Sequence, residues 1–220
     1  MPEALTEQDH SWTLAVVDDD ATVLRSLSRL LTVCGYDVTT FSSADAFLRS
    51  LDTWQPELLL LDLRMPQSDG LAIQAALVER GHRIPTIFLS GHGDVASSVR
   101  AIRGGAIDFL EKPCDEQTLL ASLDRAAVAA VGQRRNCRMA RDVNERASHL
   151  TQREREVFRW VVTGRLNKQI AALLGTTEKT IKVHRGRVMT KMRAVSIADL
   201  VRMFDLLEPA SRVPASNGGR

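Results

Sequence analysis

Four short apolar runs in the first half of the chain lead into residues that can do chemistry. TLAVV (13–17) runs into Asp18, Asp19 and Asp20, ELLLL (57–61) stops on Asp62, and IPTIFLS (84–90) closes on Ser90. AIDFL (106–110) is followed at once by Glu111, Lys112 and Pro113. Two or three carboxylates held together make a hard, anionic oxygen site suited to Mg2+, an ion that keeps some of its waters. A carboxylate beside such an ion can attack a phosphoryl group and become an aspartyl phosphate. A lysine and a hydroxyl on the same rim would hold the phosphoryl oxygens. Each residue alone has a plainer explanation: Asp20 can cap a helix, Ser90 can start a turn, and Lys112 can be a solvated surface lysine. Jointly those explanations are poor, because acids, hydroxyl and amine all fall at strand ends.

The elements between these residues explain why they would meet. Helical patterns follow the strands: ATVLRSLSRLLTVC stopping at Gly35, then ADAFLRSLD after the strand YDVTTF (36–41). GLAIQAALVERG, DVASSVRAIRGG and DEQTLLASLDRAAVAAV complete the series. Several end at glycine, as helix C-capping predicts. Five strands alternating with five helices predict an α/β domain, a doubly wound parallel sheet covered on both faces with the leucine-rich third strand central. Such sheets collect functional groups at the carboxyl ends of their strands.

The formal net charge of +2 hides a division. Residues 1–133 carry 10 Lys/Arg against 19 Asp/Glu, a balance of −9; residues 134–220 carry 19 against 8, a balance of +11. An acidic module joined to a basic one implies two modules with different partners, the basic one a nucleic-acid binder on electrostatic grounds. Cys34, Cys114 and Cys137 are odd in number and lack metal-like spacing, which fits a reduced, cytoplasmic compartment. No apolar run is long enough to span a bilayer, and MPEALTEQDHSW lacks the apolar core of a secretory signal, so no membrane association is expected. Residues 1–11 and 209–220 read as disordered tails.

From Leu150 to about Leu207 the pattern is helical throughout. Thr151 and Glu154 form a capping box that opens a helix running to Val162 and ended by Gly164. NKQIAALLG is a second helix, TTEKTIKVHRGRVMTKM a third capped by Thr177, and SIADLVRMFDLL a fourth. The second and third surround a glycine-containing turn, the spacing of a helix-turn-helix, with Ile170, Leu173, Leu174, Ile181, Val188 and Met192 as its small core. Lys179, Lys182, Arg185, Arg187 and Lys191 crowd the third helix. A charge run is commonly only a solvated face; here few acids compensate it, and phosphate contacts would supply most of the affinity for DNA. Asn167 and Lys168, opening the second helix, suit phosphate anchoring. His184 has no second ligand nearby and reads as a packing or phosphate-contact residue. Residues 126–147 read as a linker or a helical extension, with Arg141 and Glu145 as one i,i+4 pair.

At these residues the first half resembles the receiver domain of two-component response regulators. VVDDD, LLLLDLRMP, FLSGHGD and FLEKP stand in the family's order over residues 12–125. The second half, over residues 148–208, resembles the LuxR-type helix-turn-helix of the NarL/FixJ class through LTQREREVFRWVVTG, NKQIAALLGTTEKTIKVHRGRVMTKM and SIADLVR, with GHGD and FLEKP leaning to the FixJ branch. The resemblance implies a flavodoxin-like receiver of strand order 2-1-3-4-5, followed by an all-α four-helix domain. It implies Asp62 as phospho-acceptor, with Mg2+ held by Asp18, Asp19, Asp62 and the backbone carbonyl of Arg64. Ser90 and Lys112 would contact the phosphoryl group, a cis peptide would precede Pro113, and Phe109 would be the switch aromatic. In the basic domain Lys182 and Val183 would face the groove, Lys179, Arg185 and Arg187 would contact bases or phosphates, and Gly186 departs from the larger side chain common there.

The function so implied is a cytoplasmic, phosphorylation-controlled transcription factor and not an enzyme. Its donor would be a sensor histidine kinase, its target promoter DNA, and its further partner RNA polymerase. Phosphorylation would promote homodimerisation through the helix 4/strand 5 face. Two rival readings differ in class. Asp18 to Thr22 also fits the DxDx[TV] opening of haloacid-dehalogenase-type phosphatases, with Asp18 as nucleophile and Asp20 as acid/base; that reading leaves Asp62 unexplained and needs a late acidic motif from among Asp108, Asp115 and Glu116. The other is a DNA-binding protein whose receiver is a constitutive dimerisation scaffold.

Overall fold

The computed structural model describes residues 11–66, 68–91 and 95–207. The tails expected at 1–11 and 209–220 lie outside these residues apart from Ser11, whose hydroxyl donates to the Gly35 carbonyl at 2.8 Å. The chain divides into two compact units, Met1–Gln133 and Arg134–Arg220.

In the first unit β1 (Thr13–Val17), β2 (Asp37–Phe41), β3 (Leu58–Asp62), β4 (Thr86–Ser90) and β5 (Asp108–Glu111) form one parallel sheet in the order 2-1-3-4-5. Interleaved are α1 (Ala21–Val33), α2 (Ala44–Ser50), α3 (Gly70–Glu79) and α4 (Val95–Arg103). Successive strand residues point to opposite faces, so the four leucines of β3 divide between two cores. Leu58 and Leu60 join Leu14, Val16, Leu31, Leu119 and Leu123 on one side; Leu59 and Leu61 join Val17, Phe47, Ile73 and Phe88 on the other. Burial on both faces makes β3 the stiff centre of the sheet, and its last residue is a fixed point. A short antiparallel hairpin follows it, Arg64–Met65 against Ser68–Asp69, which the sequence pattern does not announce.

Helix α5 (Glu116–Ser148) is continuous for 33 residues. Residues 126–147, for which the sequence allows either a linker or a helical extension, are helical. Among the described residues, an ion pair on this stretch joins Asp142 to Arg146, and Arg141 and Glu145 form none. Both pairs have i,i+4 spacing, but Arg146 also donates to the Met192 carbonyl at 3.2 Å, which fixes its side chain near Asp142.

In the second unit α6 (Gln152–Val162), α7 (Asn167–Leu173), α8 (Glu178–Met192) and α9 (Ile197–Leu206) enclose a core of Val157, Phe158, Val161, Ile170, Ile181, Val188, Met192 and Leu200. The Thr151/Glu154 capping box opens α6, and Thr177 caps α8 through the Thr180 N–H. Leu173, expected in this core beside Leu174, is exposed; Leu174, about 100° further round the helix, does pack against it. Among the described residues no helix is long and apolar enough to cross a membrane.

Candidate functional site

The sheet brings three of the strand-end side chains into contact. Asp18 directly follows β1 and is pinned from both sides: its N–H donates to the Phe41 carbonyl at 3.1 Å, and its Oδ1 accepts the Asp20 N–H at 2.9 Å. Asp62 ends β3, and its Oδ2 accepts the Arg64 N–H at 2.8 Å. Lys112 follows β5, with its backbone N–H on the Ser90 carbonyl at 2.7 Å and a cis bond to Pro113. Its ammonium lies 2.5 Å from both Asp18 Oδ2 and Asp62 Oδ1. Both carboxylates are buried, while Asp19 beside them is exposed.

The electrostatics follow from this placement. Burial pushes the Asp62 carboxyl above its usual range; the Asp18 charge adds to the rise, and the Lys112 ammonium only partly offsets it. Burial works against the Lys112 charge, but hydrogen bonds and Coulomb attraction from Asp18 and Asp62 outweigh it and raise the lysine. Asp20 has the plain role allowed for it: its side chain caps α1 by accepting the Thr22 N–H at 2.7 Å, which holds its carboxyl below the usual range.

The donor set fits a hard cation by its chemistry: Asp18 and Asp19 follow β1, and Asp62 and the main chain of Arg64 stand at the end of the adjacent β3. In the arrangement seen, Lys112 stands between the two buried acids. Among the described residues no group of three or more His, Cys, Asp or Glu side chains is placed as a metal cage.

The remaining receiver residues stand around this cluster, with Ser90 joined to Lys112 through its carbonyl. Ser90 is buried at the end of β4. Phe109 is half-buried, its ring stacked on Phe88 with centroids 6.5 Å apart. Sequence reasoning missed what holds β5 to α5. Asp108 accepts Ser122 Oγ at 2.6 Å, the Phe109 N–H at 2.9 Å and the Arg125 guanidinium. The i,i+3 spacing of Ser122 and Arg125 was the available signal. Gly70 was missed as well: a Cβ there would lie 2.4 Å from the Asp62 carbonyl oxygen.

In the second unit Lys179, Lys182, Val183 and Arg187 of α8 are exposed, as is Lys168 of α7. Arg185 is half-buried and donates to Asn167 Oδ1 at 3.0 Å, so these two act as a pair. Lys191 is engaged within the domain. Its ammonium lies 2.6 Å from Glu154, which is 2 % exposed, and 3.1 Å from the His149 carbonyl. It therefore leaves the group of free cations on α8. His184 Nδ1 is buried without a hydrogen-bond partner.

A parallel receiver-type sheet with a buried acid pair and lysine on its rim, followed by a helix-turn-helix unit with a cationic helix, defines a two-module regulator. Known proteins bear on which one. Residues 14–124 match the response regulator receiver domain family, and residues 148–204 match the luxR family of bacterial regulatory proteins. The chain is 42 % identical over 200 residues to the response regulator protein TodT of Pseudomonas putida, covering 91 % of this chain and 88 % of TodT. It is 38 % identical over 192 residues to the transcriptional regulatory protein FixJ of Rhizobium meliloti, covering 87 % and 94 %. Among solved structures, response regulator StyR superposes with a TM-score of 0.68 at 38 % identity, covering 89 % of this chain and 99 % of StyR. Full-length FixJ from B. japonicum gives 0.55 at 36 %, covering 89 % and 96 %.

The chain belongs to the NarL/FixJ class of response regulators. It is a two-component transcriptional regulator with a receiver and a LuxR-type DNA-binding domain, not an enzyme. The phosphatase reading falls with that assignment.

Proposed function

We propose that Asp62 accepts a phosphoryl group from a sensor histidine kinase and that the change in the receiver promotes dimerisation and promoter binding. The contact that carries this reading is the Lys112 ammonium, 2.5 Å from both Asp18 and Asp62. In the reaction an Asp62 oxygen attacks phosphorus, the bond from phosphorus to the donor nitrogen breaks, and the imidazole leaves. Lys112 then transfers its hydrogen bond from the carboxylate to a phosphoryl oxygen, and Ser90 approaches another. A bound Mg2+, held by Asp18, Asp19, Asp62 and the Arg64 carbonyl, would offset charge on the phosphoryl oxygens. Phe109 follows Ser90 inward and carries the change to the neighbouring surface.

The surface offered for dimerisation is the α4/β5 face. Val95, Val99 and Ile102 of α4 are exposed at i, i+4 and i+7, a stripe that a second copy would cover. Residues 12–125 are assigned to the receiver, 126–147 to the connecting stretch and 148–208 to the DNA-binding domain. Lys179, Lys182, Val183 and Arg187 supply DNA contacts, with Asn167, Lys168 and Arg185 anchoring phosphates. Two copies would set α8 about one DNA turn apart on inverted half-sites. RNA polymerase is the further partner, and the cytoplasm is the compartment.

Sedimentation and operator binding, each with and without a stable phosphoryl analogue, test the coupling. The analogue should produce dimers and tighter binding. Monomers of equal affinity in both states would overturn the coupling, and an unchanged dimer would leave the scaffold reading.

A further inference from the structure

Gly186 lies in the middle of α8 without any reason from the protein's own structure to be glycine. Its φ is not in the left-handed region, where glycine is favoured. A Cβ added there would meet nothing within 4 Å, so no neighbouring element needs the space. Short of proline, glycine is the least favourable residue inside a helix. Such a residue on an exposed face, free of both common structural demands, points to the close approach of something from outside.

The surroundings say what approaches. Gly186 floors a shallow hollow walled by Lys182, Val183, Arg187, Thr190 and Lys191. Val183 is 50 % exposed, and Thr190 commits its hydroxyl to the Gly186 carbonyl at 3.1 Å, which leaves its methyl for apolar contact. The hollow is therefore apolar at its floor and cationic at its edge, with Lys182 and Arg187 both exposed. Among the groups on the edges of DNA bases, the thymine C5-methyl is the apolar one offered in the major groove. We infer that Gly186 is a specificity-determining position that lets a thymine methyl seat against the backbone of α8 beside Val183, while Lys182 and Arg187 hold the flanking polar edges. This rests on the DNA-contact reading of α8 proposed above.

The test uses the full-length protein. Duplexes enriched by the wild type from a random pool define its preferred site, and each thymine in that site is then replaced by deoxyuridine. At one or two positions per half-site, loss of the methyl should weaken wild-type binding by about fourfold, the worth of one buried methyl group. Gly186→Ala should melt no lower than the wild type, bind unrelated DNA equally, and show no deoxyuridine effect at those positions. Wild-type binding that is indifferent to every deoxyuridine overturns the inference while leaving the DNA-contact reading intact. So does a Gly186→Ala protein that keeps the full deoxyuridine effect. A wild type that enriches no sequence overturns both together.

Discussion

The ammonium of Lys112 lies 2.5 Å from Oδ1 of Asp62, fifty residues earlier in the chain. The two stand at the ends of strands that do not pair: β4 lies between β3 and β5. Only the common direction of the parallel strands brings both to one rim, and only a side chain as long as lysine bridges that separation.

Removing the Asp62 charge should stabilise the fold at neutral pH. Its folded pKa is raised, mainly by burial, so the unfolded chain gives up this proton first as pH rises. The carboxylate therefore costs stability above about pH 4, the ordinary range of an aspartate, and costs nothing well below it. Asp62→Asn should be more stable than the wild type at pH 7 in urea unfolding, and the gain should vanish towards pH 3. Destabilisation at pH 7 would count against the burial argument.

Gly70→Ala should injure the same site from behind. Its Cβ would lie 2.4 Å from the Asp62 carbonyl oxygen and 3.1 Å from Leu63 Cα, both backbone atoms that cannot step aside cheaply. The expected cost is about 1–3 kcal/mol, typical of overpacking. Phosphoryl uptake at Asp62 should fall with it. A variant of unchanged stability would show the contact to be soft.

Glu154 predicts an acid-sensitive second unit. Burial would raise its carboxyl, but the Lys191 ammonium and the hydrogen bonds of Thr151 outweigh burial and hold it below the usual range. A depressed pKa contributes stability in full above the unfolded value, about 4.3, and loses it as pH falls through the folded value. Glu154→Gln should cost about 1.5–3 kcal/mol at pH 7, as for a hydrogen bond to a charged group, and the difference should close in acid. A pH-independent difference would remove the ion pair from the account.

The cations of α8 should behave differently from one another. Lys182→Ala should weaken operator binding by about 1–3 kcal/mol and relax base preference if the lysine reads a base, leaving stability unchanged. Lys191→Ala should lower stability, because it unpairs buried Glu154. Salt titrations of DNA affinity beside melting curves separate the two, and identical profiles would contradict the division.

The sequence made the layers legible because they rest on periodicity. Leu58 to Leu61 are apolar at every position, which only a strand covered on both faces tolerates, and the acids that end β1 and β3 follow from there. It could not separate Leu173 from Leu174, since adjacent apolar residues on a short helix differ only by about 100° of rotation. Nor could it give Lys191 to Glu154, 37 residues away, or join Asp108 to Arg125. Those contacts depend on how finished elements pack. Gly70 looked like a helix opening and proved also to be a point of close backbone approach.

The central claim is that Asp62 is the residue modified. Incubating the protein with labelled acetyl phosphate and Mg2+, followed by peptide mapping, tests it directly. One phosphoryl group should appear on the peptide containing Asp62 and be absent from Asp62→Asn, which the stability argument expects to be well folded. Label that persists in Asp62→Asn, or maps to Asp18, would contradict the account.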